Sequence, residues 1–254
     1  MKAFLRNLFF ALMPHFPVPK DRALILMYHS ISDRTDYFSA VSPAVFERQM
    51  RYLKEHGVPV ISLAELVRRL RAHEPLGGAV ALTFDDGYRD NFTAAFPVLE
   101  RYRFPATIFA ATDFIGQADR RNLERLSTDE LRALDASGLI SIEPHTRSHP
   151  RLSCLSAEAA RDEIVGSKRF IKDLLGRPCD YFAYPWGDYD ATTVDIVRAL
   201  GFNAAVTVRE GTVGHKSDPF LLPRVSIDHS TTFAQFKGKL STAVDWYHGM
   251  KSWR

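Results

Sequence analysis

Ala79-Val80-Ala81-Leu82-Thr83-Phe84-Asp85-Asp86-Gly87-Tyr88 opens as an apolar run of strand length and closes on Asp-Asp-Gly. Asp and Gly suit a tight turn or a helix start, so the run ends there. A helical stretch follows to about Arg103, and a second apolar run covers Ala106 to Ala110. Strand, helix and strand in this order make one βαβ unit. A crossover helix returns the chain to the same end of the sheet, so the two strands are parallel.

The pattern repeats in both directions. Upstream, Ala23 to Met27 is a short apolar run, and Pro43 to His56 carries Phe46, Met50 and Leu53 at helical spacing. Val58 to Ile61 reads as a strand and Leu63 to Ala72 as a helix. Downstream, Ser127-Thr128-Asp129-Glu130 is a capping box opening a helix that Gly138 ends. Leu139 to Ile142 is a strand, and Ser156 caps a helix with Ala160, Ile164, Ile171 and Leu175 on one face. Tyr181 to Tyr184 is a strand, and Asp190 caps a helix ended by Gly201. Ala204 to Val208 and Leu221 to Ile227 complete the strands, and Thr231 or Thr232 starts a last helix. Seven or eight such units suit a (β/α) barrel of roughly 250 residues better than an open sheet. Nothing resembling a linker or an internal repeat interrupts residues 21–254, which read as one α/β domain.

The chain has 254 residues, 46% hydrophobic and 25% charged, which excludes a disordered, collagen-like or disulfide-scaffold protein. A net charge of +3 without a block of like charges argues against a nucleic-acid partner. Cys154 and Cys179 are too few for a disulfide framework or a thiolate zinc cage, and both read as buried thiols. Residues 1–20 form an apolar segment with Leu5, Leu8, Phe9 and Leu12 on one helical face. It is short of the ~20 apolar residues of a spanning helix. Residues 3–13 either dock on the domain or lie on a membrane surface, and the signal-peptide likeness is weak because no small-x-small site follows. The expected location is cytoplasmic or peripheral to the membrane, with export left open.

Parallel barrels build their sites from loops at the carboxyl ends of strands. Asp85 and Asp86 leave one such end together. They suit a turn, or one binds a cation while the other works as a base, since a cation relieves the repulsion between neighbouring carboxylates. Pro144-His145-Thr146-Arg147-Ser148-His149-Pro150 leaves another end. Two histidines at this spacing can aim at one point, and with one Asp they make a hydrolytic metal set with positions left open. Phe182-Ala183-Tyr184-Pro185-Trp186-Gly187 is either a rigid aromatic turn or the wall of a sugar groove. Tyr28-His29-Ser30 and Pro223-Arg224-Val225-Ser226-Ile227-Asp228-His229 end the first and last strands.

Thr83-Phe84-Asp85-Asp86-Gly87-Tyr88, His145-Thr146-Arg147-Ser148-His149-Pro150 and Phe182-Ala183-Tyr184-Pro185-Trp186-Gly187 together resemble the polysaccharide deacetylase family. This is the NodB-homology group, carbohydrate esterase family four, and the resemblance spans roughly residues 22–245. It implies a distorted (β/α) barrel of about seven strands and a hydrolase that removes acetyl groups from N-acetylated sugars of a glycan. It implies one divalent metal, zinc first, with cobalt, nickel, manganese or iron as alternatives. By the same resemblance Asp85 is the base, Asp86, His145 and His149 the metal ligands, and Trp186 the oxyanion donor through its backbone N–H. Tyr184 and Trp186 would line the glycan site. Tyr28-His29-Ser30-Ile31 resembles the branch acting on exopolysaccharides and surface glycans, in which this early His is the general acid; His229 is the alternative. Two positions depart from the family pattern. Ala183 stands where many members carry an Arg that steadies the base, and Glu143-Pro144 replaces small residues, which would narrow the metal loop. An O-acetyl esterase and a non-catalytic glycan-binding barrel are the rival functions.

Overall fold

The computed structural model describes residues 18–34, 36–241 and 243–245. The expected docking or membrane contact of residues 3–13 lies outside them. The strands are β1 (Arg22–Tyr28), β2 (Ser30–Ile31), β3 (Ala40–Val41), β4 (Val80–Asp85), β5 (Ala106–Ala110), β6 (Ile140–Pro144), β7 (Tyr181–Ala183), β8 (Ala204–Val206), β9 (Val213–Gly214) and β10 (Val225–Ser226). The helices are α1 (Pro43–Glu55), α2 (Leu63–Arg71), α3 (Phe96–Tyr102), α4 (Thr128–Ala136), α5 (Ala157–Leu175), α6 (Ala191–Ala199) and α7 (Phe233–Lys239). The main sheet runs β10-β1-β4-β5-β6, all parallel, with β9 antiparallel on the start of β1. β7 and β8 form a parallel pair, and β2 pairs with β3.

The chain that leaves β8 joins the pair to the sheet. Leu222 bridges Val206, and three residues later Val225 pairs with Leu26 of β1. On the opposite side, no ladder joins β6 to β7 among the described residues. β1, β4, β5, β7 and β8 contribute to one interior cluster, and side chains hold the seam between β6 and β7.

Period-two alternation sorts each strand into two faces. Leu24, Leu26 and Tyr28 of β1, Val80, Leu82 and Phe84 of β4, and Phe182 of β7 pack in a cluster with Phe46, Met50 and Leu53 of α1. Ala23, Ile25, Ala81, Phe109, Tyr181, Ala183, Ala204 and Val206 point the other way, into a second cluster shared by both sheets and by Leu63, Leu66, Val67 and Leu70 of α2. Thr83 and Asp85 have the parity of Ala81, so they face this interior.

Helix starts match the capping chemistry. Ser42, Ser62, Ser127, Ser156, Asp190 and Thr232 each accept a bond from a backbone N–H in the first turn. Three expectations are corrected. Val58–Ile61 is not a strand, because only Val60 bridges β4. The helix after Tyr88 opens with a π turn at Asn91–Ala95 before α3. Cys154 is exposed in a short turn, and only Cys179 is buried.

Candidate functional site

Strand register brings the chemistry to one end. Tyr28 pairs with Phe84, Asp85 with Phe109, and Phe109 with Glu143. The residues that follow these strand ends, His29, Asp86 and His145, therefore emerge level with one another. The turns there are strained. Four of the seven non-glycine residues with positive φ among the described residues are Asp86 (72°), Thr146 (64°), His149 (58°) and Trp186 (61°). Left-handed backbone costs roughly 1–2 kcal/mol per residue and collects where function requires a shape. Gly187 is needed beside them: a Cβ there would lie 2.3 Å from Val208 Cγ2 and 2.9 Å from its backbone N.

Left-handed turns at Asp86 and Gly87 swing Asp86 away from Asp85 and toward the loop after β6. There Asp86 Oδ1 lies 3.2 Å from His149 Nε2 and 3.9 Å from His145 Nε2. The donor atoms of Asp86, His145 and His149 all fall within 4.8 Å of one another. His145 Nδ1 donates to the Ala183 carbonyl at 2.7 Å, which leaves the Nε2 lone pair directed at the cluster. Burial pushes the His145 pKa down to about 4, so the ring is neutral at ordinary pH. Burial alone would raise Asp86, but His29, His149 and His145 outweigh it and hold the carboxyl below its ordinary range. Two imidazoles and a carboxylate fit a divalent transition metal with positions left open. Glu163 of α5 holds the loop by accepting from Arg147 N and Ser148 N, each at 2.9 Å, and from Ser148 Oγ at 2.7 Å.

Asp85 stays inside, where Arg224 grips it with both arms. Arg224 Nη1 and Nη2 donate to its two oxygens at 2.7 and 2.6 Å. Arg224 is fully buried, and its Nε donates to the Thr207 carbonyl at 2.9 Å. Burial pushes the Asp85 pKa up, but the charges of Arg224, His145 and His29 prevail and hold it well below the carboxylate range.

His29 is half-buried and acts electrostatically on both Asp85 and Asp86. It lines a cavity of about 210 Å³ with Met27, Phe38, Ser39 and Asp228. His229 is exposed, its Nδ1 bonded to the Phe38 carbonyl at 2.9 Å and its ring against Phe38. Of the two acid candidates, only His29 has this electrostatic reach. Trp186 is 58% exposed and covers His149, with ring centroids 5.0 Å apart and Nε1 donating to the His149 carbonyl. Tyr184 is corrected: it is fully buried, packs on Phe182 and Tyr189, and lines no groove. Alternation along β7 turns Ala183 inward, so Tyr184 must face the helices.

The polysaccharide deacetylase family model matches residues 73–205. The chain belongs to the polysaccharide deacetylase family. It is 30% identical over 213 residues to the Bacillus subtilis (strain 168) protein YxkH, covering 84% of this chain and 74% of that one. It is 26% identical over 196 residues to the poly-beta-1,6-N-acetyl-D-glucosamine N-deacetylase of Staphylococcus aureus (strain MRSA252), covering 74% and 68%. Among solved structures, IcaB from Ammonifex degensii matches with a TM-score of 0.79 at 25% identity, covering 88% of this chain and 97% of that one. Streptococcus pyogenes deacetylase PplD, in complex with acetate, matches with a TM-score of 0.76 at 26% identity, covering 84% and 96%. These neighbours share the NodB-like α/β fold.

Within this polysaccharide deacetylase, the arginine expected at position 183 comes from elsewhere. Arg224, at the foot of β10, reaches Asp85 across the interior. The sequence signal was an Arg in an apolar strand, a residue type almost never fully buried unless paired. The stretch from Pro223 to His229 offers His229 as an acid candidate, yet it is its arginine that meets Asp85.

Proposed function

We propose that this polysaccharide deacetylase is a metal-dependent N-deacetylase of acetamido sugars in a polysaccharide or glycan precursor. The observation that carries this reading is the convergence of Asp86, His145 and His149 within 4.8 Å beside the Arg224-gripped Asp85. The N-deacetylase among the relatives supports the amide over the ester, and the acetate held by PplD supports the leaving acyl group.

A divalent ion held by Asp86, His145 and His149, zinc first among the candidates, would acidify a water and polarise the acetyl carbonyl. Asp85 is the base: ionised and fixed in orientation by Arg224, it accepts the proton of the attacking water. The Trp186 backbone N–H donates to the oxyanion that develops on the acetyl oxygen. His29 gives a proton to the leaving nitrogen, because an amide nitrogen departs as an amine and not as an anion. Acetate and a free amino sugar result. The exposed Trp186 indole offers a flat apolar surface to a sugar ring beside the ligands.

Acetate release from N-acetylglucosamine oligomers, set against release from acetylated xylan, tests the substrate. Faster turnover of the xylan makes the protein an O-acetyl esterase. Asp86→Ala, His145→Ala and His149→Ala are each expected to lose both bound zinc and activity, since two remaining protein ligands fall below the three of a catalytic zinc site. Metal analysis after zinc loading checks this, and a full equivalent retained by any of the three removes that residue from the ligand set.

The acid assignment has its own test. A good leaving group needs no proton, so removing the acid slows amide hydrolysis far more than ester hydrolysis. His29→Ala is expected to lose about 10²–10⁴-fold on an N-acetyl sugar and much less on an aryl acetate. His229→Ala is expected to change neither. An amide-selective loss in His229→Ala alone exchanges the two roles.

A further inference from the structure

The seam between β6 and β7 lacks a strand ladder, yet it carries the hydrogen bond that orients His145. Pairing with Val206 of β8 holds Ala183 on one side, and on the side facing β6 something other than a ladder must fix it. Glu143 lies two residues before His145, with the inward parity of Ser141, and is 1% exposed. Its Oε2 accepts from Asp180 N at 2.9 Å and Tyr181 N at 3.1 Å, the first two backbone donors of the β7 segment. Its Oε1 accepts from Ser141 Oγ at 2.8 Å and from Arg177 Nη1 at 3.3 Å. Arg177 is tied in turn to Asp135 and to the Ile142 carbonyl of β6. One carboxylate therefore replaces the missing ladder, with one oxygen on each side of the seam. Buried backbone donors are almost always satisfied, and here a side chain satisfies them.

We propose that Glu143 is the positioning residue of the metal site: by fixing β7 against β6 it sets the Ala183 carbonyl where it holds His145 in the Nδ1–H form. Only Phe182 lies between the stapled Tyr181 and Ala183, so a shift at Tyr181 is carried along one short strand. The chain continues through Tyr184 into the turn at Pro185–Gly187, so the staple also places the turn that covers His149. The departure at Glu143-Pro144 thus has a use: the carboxylate turns toward the seam and stays out of the metal loop. This inference rests on the ligand reading of His145 only for the part that concerns metal affinity.

The experiment separates reach from charge. Glu143→Gln keeps an oxygen at the same reach for the two N–H groups and gives up the charge. Glu143→Asp keeps the charge near Ser141 and Arg177 and withdraws the oxygen from β7. Long-range ¹H–¹⁵N NMR of the metal-free protein reads the His145 tautomer, and zinc titration reads affinity. Glu143→Gln is expected to keep the Nδ1–H tautomer and to bind zinc within about threefold of wild type, whereas Glu143→Asp populates the other tautomer and binds roughly 10–100-fold more weakly, the usual cost of losing support behind a ligand. An aspartate variant indistinguishable from wild type overturns the proposal, and so does a glutamine variant that loses as much as the aspartate one. If wild type itself binds no zinc, the functional reading fails, and the tautomer comparison still decides the role of Glu143.

Discussion

Arg224→Met is expected to cost about 3–5 kcal/mol of folding stability, the usual result of removing one partner from a buried ion pair. The Asp85 carboxylate would remain in the interior with its two charge-assisted bonds gone. Burial, until then opposed by Arg224, would raise the Asp85 pKa. The pH dependence follows with a definite sign. In wild type the folded pKa of Asp85 lies below its unfolded value near 3.8, so its contribution is fully present above that value and is lost as pH falls below it. In Arg224→Met the folded pKa lies above the unfolded one, so the stability deficit should shrink as the pH is lowered through this range. Urea unfolding of both proteins between neutral and acid pH measures the deficit. The acid limb of the activity profile should move to higher pH, because the base protonates sooner. A neutral-pH deficit under about 1 kcal/mol would mean that the pair is not a closed buried pair.

Asp85→Asn is expected to lose rate and keep its metal. An amide cannot accept the proton of the attacking water, so kcat should fall by about 10²–10⁴-fold. Asp86, His145 and His149 keep their donor atoms, so bound zinc should stay near one equivalent. The two measurements together distinguish a lost base from a lost ligand. Turnover close to wild type would remove Asp85 from the base role. An empty metal site in this variant would place Asp85 among the ligands.

The parts of this protein that were legible in its sequence are those encoded within a few residues. Apolar period, capping boxes and turn glycines act over one or two turns of chain, so β1, β4, β5, β6 and the seven described helices fall close to the expected positions, the third shortened by the π turn before it. The ligand candidates were legible for the same reason: each comes from one of two short loops, Asp85-Asp86 and His145 to His149. β2, β3 and β9 were not foreseen, because strands of two residues leave no periodic trace.

What lies across the interior needed the tertiary structure. Arg224 meets Asp85 from 139 residues away, and Glu143 meets Tyr181 from 38. No local pattern names such a partner; it exists only once the strands have packed against one another. Tyr184 shows the limit from the other side. Its aromatic character suggested a sugar, but burial is decided by the face of the strand, and the helices already cover that face. The sequence by itself determined which residues leave the strand ends. Only the folded chain decided which of them meet, because a side chain's neighbours depend on register and closure, and both belong to the whole sheet.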